Sequence, residues 1–165
     1  MRSVTGPVAA ALVVSVGLSL SGCSTPHAFV APDPTWQVHT GQLVYTQDRT
    51  TLTGDLTVHH RGPRDFQLEF VKPGGARLML LRIDHENARA EGYLMKRPWE
   101  GRLDSAPHTV RPWLALRDAF LQPRPSVLGG IALWQGQVEY RDGLMSDVSI
   151  AFPEYHQNFV ISFHP

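Results

Sequence analysis

Residues 65–83 have the sequence DFQLEFVKPGGARLMLLRI, and this stretch decides the fold. Apolar and polar residues alternate from 66 to 70, as in a strand with one apolar and one polar face. Pro73 and the Gly74-Gly75 pair then supply the dihedral angles of a turn. The second arm, residues 77–83, is apolar at four consecutive positions. The pattern predicts a β-hairpin whose second strand is covered on both faces.

The same period of two continues outward from this hairpin, interrupted about every ten residues by turn residues, which is typical of many short antiparallel strands. Arg141-Asp142-Gly143 is predicted to be one of these turns. Besides the hairpin, the alternation predicts strands at Trp36–Thr46, Thr51–His60, Ala88–Leu94, Trp134–Tyr140, Ser146–Phe152 and Asn158–Phe163.

One helix is predicted at residues 111–121, because Pro112 is tolerated in a first turn and Pro123 forces an end. Trp113, Leu116 and Phe120 share one face of that helix. We expect this apolar stripe to pack on the inner face of the sheet. The fold class predicted is mainly β with one or two helices: a curved antiparallel sheet or incomplete β-barrel with a helix on its concave face.

The amino-terminal residues have the form of an export signal. One positive charge at Arg2 precedes an uncharged run from Val8 to Leu20, which is too short to span a bilayer. The following Leu20-Ser21-Gly22-Cys23 resembles the lipobox of bacterial lipoproteins. That resemblance implies a signal peptide at residues 1–22, acylation of Cys23, and a flexible tether at residues 23–35. The alternative is an ordinary secreted protein in which the cysteine is incidental.

Cys23 is the only cysteine of the 165 residues, so an intramolecular disulfide is impossible. Several acyl chains on this residue would hold the chain at a membrane. Ser24 stands where an aspartate is an inner-membrane retention signal in Gram-negative lipoproteins. The resemblance therefore implies an outer-membrane lipid anchor with the domain facing the periplasm, if the host has two membranes.

The composition gives a formal net charge of +0 and 42% hydrophobic residues, so no basic field attracts nucleic acid. Three prolines between Ser24 and Pro34 agree with a tether. Residues 36–165 are long enough for a single domain with its own core.

The segments 64–70, 72–75, 134–140 and 142–145 resemble outer-membrane lipoprotein receptors of the LolB type, over about residues 50–163. The resemblance implies an incomplete β-barrel with helices over its concave side, enclosing an apolar cavity for the acyl chains of another lipoprotein. That family carries an apolar residue on a protruding loop, whereas Pro73-Gly74-Gly75 is a bare turn.

Eleven apolar residues are predicted to line this cavity; the alternative is that they form a packed core. They are Phe66, Leu68, Phe70, Leu80, Trp113, Leu116, Phe120, Trp134, Val138, Phe159 and Ile161. Trp99 is predicted either to stand at the rim of an opening or to cover a sheet edge.

No enzymatic signature is present, because the sequence has neither Gly-x-Ser-x-Gly nor a phosphate-binding Gly-x-x-x-x-Gly-Lys. Ser126, in a Pro-Arg-Pro-Ser context, is interpreted as loop. His59 and His60 would point to opposite faces of a strand, and Asp84-His85-Glu86 belongs to a predicted turn. We therefore expect no enzyme activity, no cofactor and no metal.

Three functions remain. The first is a membrane-anchored envelope lipoprotein that binds lipid or lipoprotein acyl chains in an apolar cleft, as in lipoprotein localisation. The second is a non-enzymatic scaffold or assembly lipoprotein whose surface binds an envelope protein complex. The third is a hydrolase of envelope lipid or glycan, for which the sequence offers no positive feature.

Overall fold

A computed structural model describes residues 27–121, 127–128, 131–132, 134–141 and 144–164. The proposed signal peptide and Cys23 lie outside these residues, as do Ser126 and the Asp142-Gly143 turn. Within the described ranges, no helix is both long and apolar enough to cross a bilayer.

The described residues form one large antiparallel sheet, one α-helix, two short 3-10 helices and a small separate pair of strands. The elements are β1 (Gln37–Gln47), β2 (Thr50–Arg61), β3 (Asp65–Val71), β4 (Arg77–Asp84), β5 (Asn87–Glu91), β6 (Trp99–Arg102), a 3-10 helix (Leu103–Ser105), α1 (Arg111–Leu121), β7 (Val127–Leu128), β8 (Ile131–Ala132), β9 (Gln135–Arg141), β10 (Leu144–Phe152), a 3-10 helix (Pro153–Tyr155) and β11 (Gln157–Phe163).

Nine strands lie in the order β6-β5-β4-β3-β2-β1-β11-β10-β9, and β7 and β8 form a separate two-stranded sheet. The first strand of the domain therefore pairs with the last, so the sheet joins residues that are far apart in sequence. Over the part of the chain that the structure describes, the sheet does not close into a barrel, and β6 and β9 are its two edges.

The β3–β4 hairpin forms as the alternation predicts. Phe66, Leu68 and Phe70 lie opposite Ile83, Leu81 and Met79, so these six apolar side chains share one face. Gly74 and Gly75 both have positive φ in the turn, a conformation that glycine adopts without strain. We call the face that carries these side chains the inner face. Its other buried members include Leu43, Tyr45, Leu56, Val58, Val148, Ile150, Phe159 and Ile161.

Helix α1 packs on the inner face and contributes Trp113, Leu116 and Ala119 to the same core. The Trp113 ring lies 5.1 Å from the ring of Tyr45 and 4.9 Å from that of Phe159. The predicted class, an open, mainly β structure with a single helix, is confirmed.

The structure differs from the predicted strands at the end of β5 and in three strands that were not predicted, β6 and the short pair β7 and β8. Strand β5 ends at Glu91 rather than at Leu94, because Gly92 has φ of +129° and turns the chain. A Cβ at this position would lie 2.6 Å from the carbonyl oxygen of Leu78, so the backbone needs glycine there. The alternation also missed β6, which has only four residues and pairs with β5.

Candidate functional site

The eleven residues predicted to line a cavity are mostly packed side chains. Nine of them are no more than 2% exposed, and Phe120 and Val138 are half-buried. The Phe120 ring illustrates this packing: it lies 6.0 Å from the Phe66 ring and 5.5 Å from the Phe163 ring. The centre of the inner face is therefore filled by side chains from the sheet and the helix.

Leu80 does not belong with the other ten residues. It lies opposite Glu69 on β3 and Glu91 on β5, on the face away from the helix. Because Leu78 to Leu81 are all buried, β4 is covered on both faces. Arg77 bridges Glu69 and Glu91 with nitrogen–oxygen distances of 2.8 and 4.0 Å, so charged side chains surround Leu80. Leu80 therefore cannot share a cavity on the inner face with the other predicted residues.

A cleft of about 500 Å³ lies at the end of the inner face. We call it the end cleft. It is formed by the β5–β6 loop, the last residues of β1, the first residue of β11 and the segment that leads into α1. Its residues are Tyr45, Gln47, Leu94, Met95, Lys96, Arg97, Pro98, Trp99, Pro107, Thr109, Trp113 and Gln157.

Of the eleven residues predicted to line a cavity, Trp113 is the one that lines the end cleft. Trp113 lies in the first turns of α1, which places its ring between the cleft and the buried core. Trp99 also contributes to the end cleft, while its strand β6 forms a sheet edge. Trp99 therefore lies both beside an opening and at a sheet edge, the two positions that the sequence left open for it.

The floor of the end cleft has polar groups among its apolar walls. The Tyr45 hydroxyl donates a hydrogen bond to Gln47 Oε1 at 2.7 Å. Burial, with a smaller effect from the nearby Asp48 carboxylate, raises the pKa of Tyr45 to about 12, so it stays neutral. Gln157 is 4% exposed, and its Oε1 has no hydrogen-bond partner among the described residues.

The β5–β6 loop gives the cleft an amphipathic rim. Leu94, Met95 and Trp99 are half-buried, whereas Lys96 and Arg97 are exposed. Such a combination suits a ligand with an apolar body and a negative end, because the cations remain hydrated at the mouth. From the sequence, Trp99 was singled out as a possible rim residue and Leu94 was assigned to a strand, whereas Met95, Lys96 and Arg97 carried no signal.

A smaller cavity of about 270 Å³ lies between α1 and the chain after β10, and its residues include Leu114, Phe152 and Tyr155. The charged groups beside it already have partners: Arg117 donates to Asp118 Oδ1 at 3.0 Å, and Arg111 Nε donates to the Ala106 carbonyl at 2.9 Å. We therefore regard the end cleft as the better candidate for a ligand.

Histidines meet at the opposite end of the inner face. His39 Nε2 lies 3.2 Å from His60 Nε2, and the planes of the two rings differ by 3°. Burial lowers the pKa of both, and the neighbouring His39 lowers that of His60 further. His59 lies opposite Val38, on the other face of the sheet. The His39–His60 contact joins the neighbouring strands β1 and β2 across 21 positions of sequence, so no local motif marks it.

Asp65, Asp84 and His85 have ligand atoms within 4.8 Å of one another, which could hold a metal ion. Each carboxylate already has a cationic or histidine partner: Arg61 donates to Asp65 Oδ2 at 2.8 Å, and His27 Nε2 lies 3.2 Å from Asp84 Oδ2. The sequence singled out Asp84 and His85 but not Asp65, which lies opposite Asp84 through the hairpin register. We interpret the cluster as a hydrogen-bonded group that attaches residue 27 to the sheet.

No protein-family model matches the chain, and a search of curated proteins finds no match. The resemblance to LolB-type receptors therefore stays a prediction that rests on the quoted sequence segments.

Proposed function

We propose that this chain is a membrane-anchored lipoprotein of the bacterial envelope, whose domain binds an acyl chain in the end cleft. The proposal places it on the periplasmic side of an outer membrane, held through Cys23, with lipid or lipoprotein as its ligand and lipoprotein localisation as its process. It includes no catalytic residue and no cofactor.

The observation that carries the proposal is the size and composition of the end cleft. Its volume of about 500 Å³ falls within the range of roughly 300–1,000 Å³ typical of small-molecule sites. Removing an acyl chain from water gains about 0.8 kcal/mol for each buried CH₂ group. The Leu94, Met95, Trp99 and Trp113 side chains offer the apolar contact that this gain requires.

The rim charges favour an acyl ligand with a negative headgroup. Lys96 and Arg97 are exposed beside the cleft, and neither is within 4.0 Å of a carboxylate among the described residues. A carboxylate or phosphate at the mouth can therefore approach these cations while the chain enters the apolar part.

The test is saturable binding of a fluorescent fatty-acid probe to residues 24–165, which contain every described strand and helix, with displacement by a lipopeptide. Met95→Glu should weaken probe binding at least tenfold, because it places a carboxylate inside the cleft. Tyr93→Glu is the matched control, since Tyr93 belongs to the same loop, is 80% exposed and lies outside the cleft. Equal binding by both variants would reject the end cleft as the site.

A second candidate function, the non-enzymatic scaffold, is supported by the packed inner face. Trp113 and Phe159 fill the space in which a LolB-type cavity is expected, while Tyr140 and Leu144 are 54% and 61% exposed near one edge of the sheet. A stoichiometric protein partner in crosslinked membranes, with unchanged lipoprotein sorting in a deletion strain, would favour this function over acyl binding.

A further inference from the structure

Strand β9 is an edge strand of the sheet that the described residues form. It pairs with β10 on one side, and no strand of the described residues lies on its other side. Six of its seven residues are exposed and Val138 is half-buried. The backbone N–H and C=O groups on the outer side of such a strand can pair with another strand.

This edge lacks most features that prevent pairing. Residues 135–141, QGQVEYR, contain neither proline nor lysine. The irregularity of the β9–β10 pair lies between Met145 and Asp147, on the inner strand rather than on the edge. The opposite edge is different, because β6 has only four residues, and the backbone N–H of His27 donates to its Glu100 side chain at 3.0 Å. Long exposed edges without such protection are templates for association.

The sequence of β9 is complementary to itself in one antiparallel register. If two copies pair around a two-fold axis at Val138, that residue lies opposite its own copy. Gly136 then lies opposite Tyr140, and Gln137 lies opposite Glu139. Gln135 faces Arg141, so no two like charges are directly opposite in this register.

We propose that β9 is a homodimer interface, in which the β9 strands of two copies pair antiparallel around Val138 and join two sheets into one. A two-fold axis makes this contact closed, because each copy uses the same surface. Both copies present the inner face to the same side, since side chains directly opposite in an antiparallel pair share a face.

Two apolar residues of this edge, the half-buried Val138 and the exposed Tyr140, support the choice of partner. Val138 and Tyr140 lie opposite Val148 and Met145 on β10, so they continue the apolar row of the inner face beyond the helix. In the dimer, Tyr140 packs over the Gly136 of the other copy, where the missing side chain leaves room for the ring. Gln137 can donate to the Glu139 carboxylate of the other copy, as it does to its own Glu139 at 3.3 Å.

Cysteine crosslinking in envelopes tests both the contact and its register on the full chain, in which Cys23 is the only native cysteine. A Val138→Cys variant should form an intermolecular disulfide under mild oxidation, because directly opposite residues have Cα atoms about 4.5–5.5 Å apart. Gln137→Cys and Glu139→Cys should not crosslink alone, since identical residues there are diagonal neighbours at about 7–8 Å. Co-expressed, these two variants should crosslink to each other.

Two controls accompany this experiment. The unchanged chain measures crosslinking through Cys23, and Val160→Cys places a thiol at a 47% exposed position of the interior strand β11. Crosslinking of Gln137→Cys alone, or no crosslinking of Val138→Cys above these controls, would overturn the proposed register.

Charge substitutions test association in solution with residues 24–165. Gln137→Glu places a carboxylate opposite Glu139 twice in each dimer, whereas Gln137→Lys places a cation there. The dimer dissociation constant, measured by sedimentation, should be on the order of tenfold higher for the first variant than for the second. Because Gln137 is exposed, melting of dilute monomer should be nearly equal.

Equal dissociation constants, or a monomer at every concentration tested, would overturn the proposal. This interface does not depend on acyl binding: β9 contributes no residue to the end cleft, so Met95→Glu should leave dimerisation unchanged. Failure of the fatty-acid experiment and failure of the crosslinking experiment are thus separate results.

Discussion

His39 Nε2 and His60 Nε2 lie 3.2 Å apart, with their rings almost parallel. One ring nitrogen must donate its proton and the other must accept it, because two imidazolium rings at this distance would repel each other. Phe163 lies 5.9 Å from His39, so the pair borders the apolar layer of the inner face. The contact therefore requires that at least one histidine be neutral.

This pair predicts that the protein loses stability in mild acid. The pKa values of His39 and His60 are lowered in the folded state, so the unfolded chain binds more protons once the pH falls below about 6.5. The melting temperature should fall from pH 7.5 to pH 5, and His60→Gln should make this dependence shallower. His59→Gln, on the other face, should leave the slope unchanged. Equal slopes for all three proteins would contradict the role of the pair.

The tight packing of α1 predicts that shortening one of its buried side chains lowers the free energy of unfolding substantially. Leu116 is 0% exposed within the main core, so Leu116→Ala should cost about 2–5 kcal/mol of unfolding free energy. Leu144→Ala removes the same atoms from a 61% exposed residue and should change stability by less than about 0.5 kcal/mol. Urea denaturation measures both. A loss below about 1 kcal/mol for Leu116→Ala would mean that the helix is loosely packed.

Substitutions at two glycines distinguish the free-energy cost of backbone strain from that of a steric clash. Gly92→Ala combines a positive φ with a Cβ that would approach the Leu78 carbonyl oxygen to 2.6 Å, whereas Gly74→Ala meets open space at φ of +100°. Gly92→Ala should therefore destabilise the fold by at least about 1 kcal/mol more than Gly74→Ala. Thermal melting compares the two variants; similar losses would show that the Leu78 contact relaxes without cost.

The rim charges predict a salt-dependent contribution to ligand binding. Replacing Lys96 and Arg97 together with Gln should weaken binding of a fatty-acid anion roughly threefold to tenfold at low ionic strength. The difference should shrink at high salt because exposed charges are screened. The uncharged fatty alcohol serves as the control ligand and should bind both proteins alike. An equal loss for the alcohol would indicate that the substitutions damage the cleft itself.

The proposed acyl anchor predicts that Cys23→Ser moves the chain from the membrane fraction to the soluble fraction. Metabolic labelling with a radioactive fatty acid should mark the unchanged chain and not the variant. Ser24→Ala, at the adjacent position, is the control and should retain the label. Label on Cys23→Ser would place the lipid elsewhere.

Alternation in the sequence predicts most of the sheet, because a half-buried strand must place apolar side chains on every second residue. Helix α1 matches its predicted bounds, 111–121, since prolines near both ends restrict where a helix can begin and end. Strand β6 could not be found in this way. Trp99-Glu100-Gly101-Arg102 is too short and too polar for its alternation to stand out, and it becomes a strand by pairing with β5.

The candidate site was less predictable than the fold. Alternation assigns Phe66 or Phe159 to a face, but whether that face surrounds a cavity depends on how side chains from distant strands fill the volume. Trp113 provides much of that filling in contact with Tyr45 and Phe159. The end cleft itself brings together loop and strand residues from positions 45 to 157, so no local period marks it.

The direction of β1 gives the molecule a polarity. Its first residue is Gln37, and its last, Gln47, belongs to the end cleft, ten residues and about 33 Å further along the strand. His27 contacts Asp84, which lies at the same end of the sheet as Gln37. If Cys23 sits in a lipid leaflet, this contact turns the opening of the end cleft away from the headgroups. Such an orientation suits capture of an incoming amphiphile from the aqueous space more than extraction from the leaflet beneath.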